Sequence, residues 1–283
     1  MFKHESLKGK TAVITGAGGV LCSSFAKDLA AQGVKTALLD INLNAAQTVA
    51  DEINASGGSA IAVACNVLDK DSLKAAYEEV KAKLGVCDIL VNGAGGNNPK
   101  GTTSNETLTM QDIENKAEGV KTFFDLDADG IQFVFNLNFL GTLLTTQTFA
   151  KDMAGRDGAC IINISSMNAF RPLTKIPAYS AAKAAVSNFT QFMAVHFAPV
   201  GIRVNAIAPG FFSTNQNKTL LFNDDGSLTQ RSHKIISHTP LGRFGVTDDL
   251  TGSLLFLADS DYSAFITGVI LPVDGGFSAY SGV

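Results

Sequence analysis

Two residues four apart on one stretch of chain could move a proton: Tyr179 and Lys183, in Tyr179-Ser180-Ala181-Ala182-Lys183. On a helix that spacing puts both side chains on one face. An unperturbed tyrosine titrates near pH ~10 and is a poor acid or base at neutrality. A neighbouring ammonium stabilises the phenolate and draws that value down. Ser166 stands thirteen residues before the tyrosine, at the end of an apolar run that reads as a strand. A hydroxyl there can donate to a carbonyl oxygen. Tyrosine and lysine at this spacing arise by chance on many helices. With a serine at a preceding strand end, the pattern points to proton exchange with an alcohol or carbonyl oxygen.

A second group of residues suits a nucleotide. Thr15-Gly16-Ala17-Gly18-Gly19 follows an apolar run and opens a helix at Val20. Glycines there allow main chain to approach a pyrophosphate, and the helix N-terminus offers free N–H groups. Asp40 ends the next apolar run, 24 residues beyond Gly16. A carboxylate at that point accepts from both ribose hydroxyls and repels a 2′-phosphate. No Arg or Lys occupies Gly18, Gly19 or Ile41 to welcome such a phosphate, so NAD is expected over NADP.

Positioning these residues requires a particular order of elements. Short, continuously apolar runs at Thr11–Thr15, Lys35–Asp40, Ala60–Cys65, Asp88–Asn92, Ala159–Ser165, Arg203–Ile207 and Thr267–Val273 read as strands. Helical patterns separate them, among them one from about Asp129 through Met153 and one over Pro177–Phe197. Strands apolar on both sides, joined by helices, predict an α/β, Rossmann-type doubly wound parallel sheet of about seven strands with helices on both faces. Residues 1–283 are expected to form one such domain. Two long irregular segments, near 93–128 and 210–245, follow strand ends on the carboxyl side, where ligands bind in such sheets. They are expected to form the substrate region.

Bulk composition limits the alternatives. Hydrophobic residues make up 46% of the chain, enough for a large core. A net charge of -4 without a basic run argues against a nucleic-acid surface. No apolar run approaches the roughly 18 residues of a membrane span, and no signal-peptide core precedes the first strand, so a cytoplasmic protein is expected. The four cysteines are widely spaced and read as buried thiols. His4, His196, His233 and His238 lack any ligand spacing, and no metal site is expected.

Taken together, these motifs resemble the short-chain dehydrogenase/reductase family over nearly the whole chain. They are Thr15-Gly16-Ala17, Asp40, Asn92-Gly93-Ala94-Gly95, Asn138 in Asn138-Phe139-Leu140-Gly141, Ser166, Tyr179 with Lys183, and Pro209-Gly210. The resemblance implies hydride transfer between nicotinamide and a substrate carbon. Tyr179 would exchange the proton, Lys183 would lower the phenol pKa and hold the nicotinamide ribose, and Ser166 would polarise the substrate oxygen. Asn138 would hold a water in the proton relay. The cofactor set implied is Gly16, Gly18, Gly19, Val20, Asp40, Asn66, Val67, Asn92, Ala94, Gly95, Tyr179, Lys183, Pro209, Gly210 and Thr214. A homotetramer is also implied, and Ala181, Ala182, Ala184 and Ala185 offer a small-residue surface for pairing. The sequence departs from the family's pattern where Val20 and Cys22 replace glycines and where Asn66 replaces an aspartate.

The expected substrate wall is polar. Asn97, Lys100, Asn168 and Arg171 are its candidate residues, with Asn98, Lys175, Asn215, Gln216 and Asn217 nearby in sequence. Amides suit hydroxyl groups and a cation suits a carboxylate. Gly93-Ala94-Gly95-Gly96-Asn97, Pro99-Lys100-Gly101, Ser165-Ser166-Met167-Asn168-Ala169-Phe170, Pro209-Gly210-Phe211-Phe212 and the ending Asp274–Tyr280 are similar to the D-mannonate oxidoreductase (fructuronate reductase) branch. That resemblance implies reversible reduction of D-fructuronate to D-mannonate with NADH. Two other readings stand beside it: reduction of another polar ketone such as a keto-gluconate, and a non-catalytic NAD-binding regulatory protein.

Overall fold

The computed structural model describes residues 4–213 and 221–282. Seven parallel strands form one sheet: β1 (Thr11–Thr15), β2 (Lys35–Asp40), β3 (Ser59–Ala64), β4 (Ile89–Asn92), β5 (Cys160–Ile164), β6 (Arg203–Pro209) and β7 (Ile270–Val273). Their spatial order is β3-β2-β1-β4-β5-β6-β7. Every residue of β1, β4, β5 and β6 is buried, which is why these segments read as unbroken apolar runs.

Helices cover both faces. On one side α1 (Val20–Ala31) and α2 (Leu43–Ala55) pack Phe25, Leu29, Val49 and Ile53 against Ile14, Leu38 and Val91. On the other, α3 (Lys70–Lys83) brings Leu73 and Val80 against Val13, Leu39 and Leu90. Chain order reverses between β1 and β4, and that reversal opens a crevice at the carboxyl ends of the strands.

Three differences from the sequence-based expectation have physical causes. Strand and helix ends move by a few residues, as fraying ends do. The single helix expected from about Asp129 to Met153 is instead α5 (Ala128–Phe135), a π-helical turn over Asn136–Leu140, and α6 (Gly141–Met153). Such turns insert a residue into the helical ladder and redirect a side chain, here Asn138. The segment near 93–128 also has structure of its own. It contains α4 (Met110–Glu114), capped by Thr109 with Asp112 in reciprocal bonds, and a short 3₁₀ turn capped in the same manner by Thr122 and Asp125.

A polar chain crosses the buried face that seats α6 and α7 (Pro177–Phe197). The Asn92 amide donates to Thr146 and to the Asn163 carbonyl oxygen at 3.1 and 2.9 Å. Asn163 donates onward to Thr190 at 2.8 Å. Two strands and two helices are thereby fixed in register, since buried polar groups must find partners.

The ends of β1 and β4 are interlocked. Thr15 Oγ1 accepts from the N–H groups of Gly93 and Ala94 at 3.1 and 3.2 Å. Gly16 has φ 67° and approaches so closely that a Cβ there would stand 2.9 Å from Ala94 Cα. A Cβ on Gly93 would overlap Cys22 Sγ outright. Cys22 thus fills room that Gly93 leaves, which accounts for a side chain where the family has glycine. Gly93→Ala should destabilise the protein by about 1–3 kcal/mol through overpacking and lower the melting temperature by several degrees. Adding Cys22→Ala should recover part of the loss. Identical melting of the single and double variants would show that Cys22 is not the obstacle.

Candidate active site

A cleft of about 760 Å³ runs across the strand ends at the β1/β4 reversal. Gly16, Gly18, Gly19, Val20, Asp40, Asn66, Val67, Ala94 and Gly95 line it, as do Tyr179, Lys183 and Gly210. α1 begins at Val20 without a side-chain cap at Gly19, so its first N–H groups face the cleft unsatisfied by a cap. Asp40 also shapes this turn: its carboxylate accepts from Gly18 N–H at 2.9 Å and from Asn42 N–H at 2.8 Å. A Cβ on Gly18 would come 3.1 Å from that carboxylate and 2.7 Å from Ala45 Cβ. The Asn66 side-chain oxygen accepts from Leu68 N–H at 3.0 Å, which orients the amide at the rim. Asn92 is not on the wall; it lies beneath it, in the buried polar chain. Pro209 ends β6 behind Gly210, whose missing side chain lets β6 abut Asp274. Thr214, Asn215, Gln216 and Asn217 lie outside the described residues.

Tyr179 and Lys183 come together on the cleft wall. α7 starts at Pro177 and its buried Ala178 and Ala182 pack on Val134 of α5, with Tyr179 against the same cluster. Ser165 ties α7 to the end of β5, bonding the Lys183 carbonyl at 3.2 Å and Ser187 at 2.7 Å. Ser166 follows directly, with its hydroxyl close enough to the Tyr179 phenol to act on it. The Lys183 ammonium donates to the Ile164 carbonyl at 2.7 Å and stands 5.6 Å from the tyrosine ring centre. A Cβ on Gly95 would come 2.6 Å from Asn138 Oδ1 and 3.2 Å from Lys183 Nζ. Asn138 is held between main-chain groups: it accepts from Gly96 N–H at 3.2 Å and donates to the Gly96 and Val134 carbonyls at 2.7 and 2.8 Å.

Burial dominates the electrostatics of this pair. It pushes the Lys183 ammonium down to about 8. It also raises the Tyr179 phenol above its ordinary value, with the Ser166 hydrogen bond acting in the opposite direction. The expectation that Lys183 would draw the phenol down therefore does not hold in this arrangement. The ammonium is turned to the Ile164 carbonyl, and desolvation sets the direction for the phenol.

The expected substrate residues divide. Asn168 is 4% exposed, its main-chain N–H donates to Ser166 Oγ at 3.2 Å, and its side-chain oxygen has no partner among the described residues. It supports Ser166 from behind. Asn97 bonds Thr102 within its own loop. Lys100 faces Asp127 at 3.6 Å, and the Arg171 Nε–H donates to the Ser278 carbonyl at 3.2 Å. None of these four lines the cleft. The sequence reading missed Arg231, on α8 (Gln230–Ser237), which does. It falls inside the segment 210–245 expected to bear on substrate, so its position was legible. Its orientation was not, because that depends on how α8 seats.

The sequence profile of the short chain dehydrogenase family matches residues 10–224. The chain belongs to that family. It is 61% identical over 280 residues to an uncharacterized oxidoreductase of Haemophilus influenzae, covering 99% of this chain and 97% of that one. It is 55% identical over 280 residues to Uncharacterized oxidoreductase UxuB of Bacillus subtilis, covering 99% of each. A crystal structure of a candidate D-mannonate oxidoreductase from Haemophilus influenzae, with bound NAD, superposes with a TM-score of 0.93 at 61% identity, covering 98% of each chain.

For this short-chain dehydrogenase a pH dependence follows. Lys183 is a cation below about 8 and neutral above it, while Tyr179 keeps its proton to higher pH. In the direction that consumes a proton, kcat/KM should fall as pH rises through about 8. Lys183→Arg, which stays charged, should remove that limb from the profile. A limb unchanged in the variant would assign it to another group.

Proposed function

We propose that the protein is an NAD-dependent oxidoreductase of sugar acids that interconverts D-fructuronate and D-mannonate. The observation that carries the reading is the meeting of Tyr179, Ser166 and Lys183 at the strand ends, beside a nucleotide-sized cleft rimmed by Asp40. The likeness to the NAD-bound candidate D-mannonate oxidoreductase supports the choice of substrate.

The residues present fit the cofactor. Side chains at Gly16 or Gly18 would close the cradle against Ala94, Ala45 and Asp40. The N–H groups of α1 suit the pyrophosphate, Asp40 suits unphosphorylated ribose hydroxyls, and Asn66 and Val67 suit the adenine end. Tyr179 and Lys183 would hold the ribose at the reacting end. When bound, NADH supplies the hydride to the ketone carbon. Tyr179 gives its phenolic proton to the substrate oxygen, and Ser166 donates a hydrogen bond to the same atom as charge develops there. Lys183 steadies the phenolate left behind. Asn138 pins Gly96 and, beside Gly95, keeps the main chain next to the ammonium.

The same reading takes residues 1–283 as one catalytic unit working as a cytoplasmic homotetramer. The outer face of α7 suits pairing: Ala181 and Ala184 are exposed, as are Phe192 and Val195 farther along.

Asp40→Asn keeps an acceptor for the glycine turn and removes the charge. It should raise the KM for NADH and reduce the preference for NADH over NADPH by about tenfold or more. An unchanged preference would remove Asp40 from cofactor selection. The substrate is tested by a panel of hexulosonates with NADH, with Tyr179→Phe as the chemical control. D-fructuronate should be reduced fastest, and the variant should bind NADH while losing at least about a hundredfold in turnover. A faster rate on a keto-gluconate, with none on D-fructuronate, would replace the substrate.

A further inference from the structure

A sugar acid needs a cation for its carboxylate, and the chain's cations are mostly engaged elsewhere. Lys183 is turned to Ile164, beside the Tyr179 ring. Lys100 faces Asp127, and Arg171 holds the C-terminal segment at Ser278. Among the described residues that line the cleft, Lys183 and Arg231 are the cations.

Arg231 lines the cleft, and the partners of α8 relate it to the segment after β4 and to the approach to α7. α8 is seated by Ser232, which donates to the Leu221 carbonyl at 2.5 Å, and Leu221 itself lines the cleft. Ile235 of α8 shares a small apolar cluster with Leu221 and Phe244. Lys234, three residues on, forms an ion pair with Glu106 of the segment after β4. The charges of Lys175 and Arg231 also lower the Glu106 carboxyl, after its bond to Lys234. Lys175 precedes Tyr179 by four residues, so Arg231, Glu106 and the start of α7 are neighbours. Lys175 adopts φ 71°, and its carbonyl accepts from Thr103 N–H at 2.9 Å, which closes that corner. Three cations surround one carboxylate there. Lys234 is spent on Glu106, while Arg231 is exposed and has no ion pair among the described residues.

We infer that Arg231 is the specificity-determining anchor for the substrate's carboxylate. The inference rests on the sugar-acid reading above and names the group that would enforce it. A guanidinium on the cleft wall can hold a carboxylate through two parallel N–H···O bonds. With the acid end fixed at Arg231, the ketone carbon is carried toward Tyr179 and Ser166. Lys175 adds positive charge near Glu106. A neutral sugar would lack the anchor, so selection for acids arises from this wall.

The test compares D-fructuronate with D-fructose, which carries a hydroxymethyl group in place of the carboxylate, in wild type, Arg231→Met and Arg231→Lys. The KM for the acid should rise about tenfold to a hundredfold in Arg231→Met and less in Arg231→Lys. The preference for the acid over the neutral ketone should fall by the same factor. Equal losses on both ketones would make Arg231 a packing residue and overturn the inference. A rise confined to the KM for NADH would assign the guanidinium to the nucleotide and also overturn it. Binding of D-mannonate and D-gluconate to the NAD-loaded protein, measured by calorimetry, separates this from the choice of substrate. Binding lost in Arg231→Met, in a wild type that reduces no hexulosonate, would keep the anchor and reject the substrate reading. Reduction of the acid with no dependence on Arg231 would keep the substrate reading and reject the anchor. Neither reduction nor binding in the wild type would reject both.

Discussion

A lysine ammonium cannot be buried in a protein interior without a compensating partner, and Lys183 is 4% exposed. Much of the active-site corner can be read as the answer to that constraint. The ammonium reaches the last carbonyl of β5, at Ile164, so the end of the strand sets where the charge sits. Gly95 has no side chain because the ammonium and Asn138 occupy the space one would need. Asn138 reaches that spot from a π-helical turn that interrupts what would otherwise be one helix. Ser165 then locks the carbonyl of the same lysine to the strand end. Tyr179, one turn earlier on α7, is thereby fixed beside Ser166 without any direct bond to the lysine.

The sheet supplies the rigidity that this corner borrows. Asn92, Asn163, Thr146 and Thr190 join two central strands to two helices through side chains buried in an otherwise apolar interior. Partly satisfied networks of this kind are costly, so the arrangement disfavours any shift of α6 or α7 along the strands. Thr15 does the same for the nucleotide end by bonding the turn after β4 to the end of β1. Both sets of bonds sit at strand ends, next to the crevice that the reversal of strand order creates.

How far this was legible in the sequence follows from the kind of information each feature needs. The strands were legible because burial on both faces leaves unbroken apolar runs, as in Cys160–Ile164. The places of Tyr179, Lys183, Ser166 and Asp40 were legible because each sits within one element or at its end. The π turn at Asn136–Leu140 left no periodic signature, since one inserted residue hardly disturbs a helical pattern. The electrostatics ran against expectation for a similar reason. Spacing brought a phenol and an ammonium together, but desolvation and the Ile164 carbonyl are properties of the packed corner. Lys100 and Arg171 stand close in sequence to Asn92-Gly93-Ala94-Gly95 and to Ser166. Their partners, Asp127 and the Ser278 carbonyl, come from 27 and 107 residues away and could not be seen.

The division between the chemical and the selective parts of the cleft has a structural basis. Tyr179 and Lys183 lie on α7, and Ser166 follows the end of β5, where Ser165 and Lys183 bond strand end to helix. The Arg231 wall belongs to segments inserted after β4 and β6, which an exposed ion pair of Glu106 with Lys234 joins. Exposed ion pairs contribute little to stability, about 0–1 kcal/mol. Substitutions on that wall therefore cost the fold little, while the reacting groups stay where the buried lysine requires them. The wall that carries Arg231 can in this way vary without disturbing Tyr179, because the two are built on parts of the chain with different mechanical ties to the core.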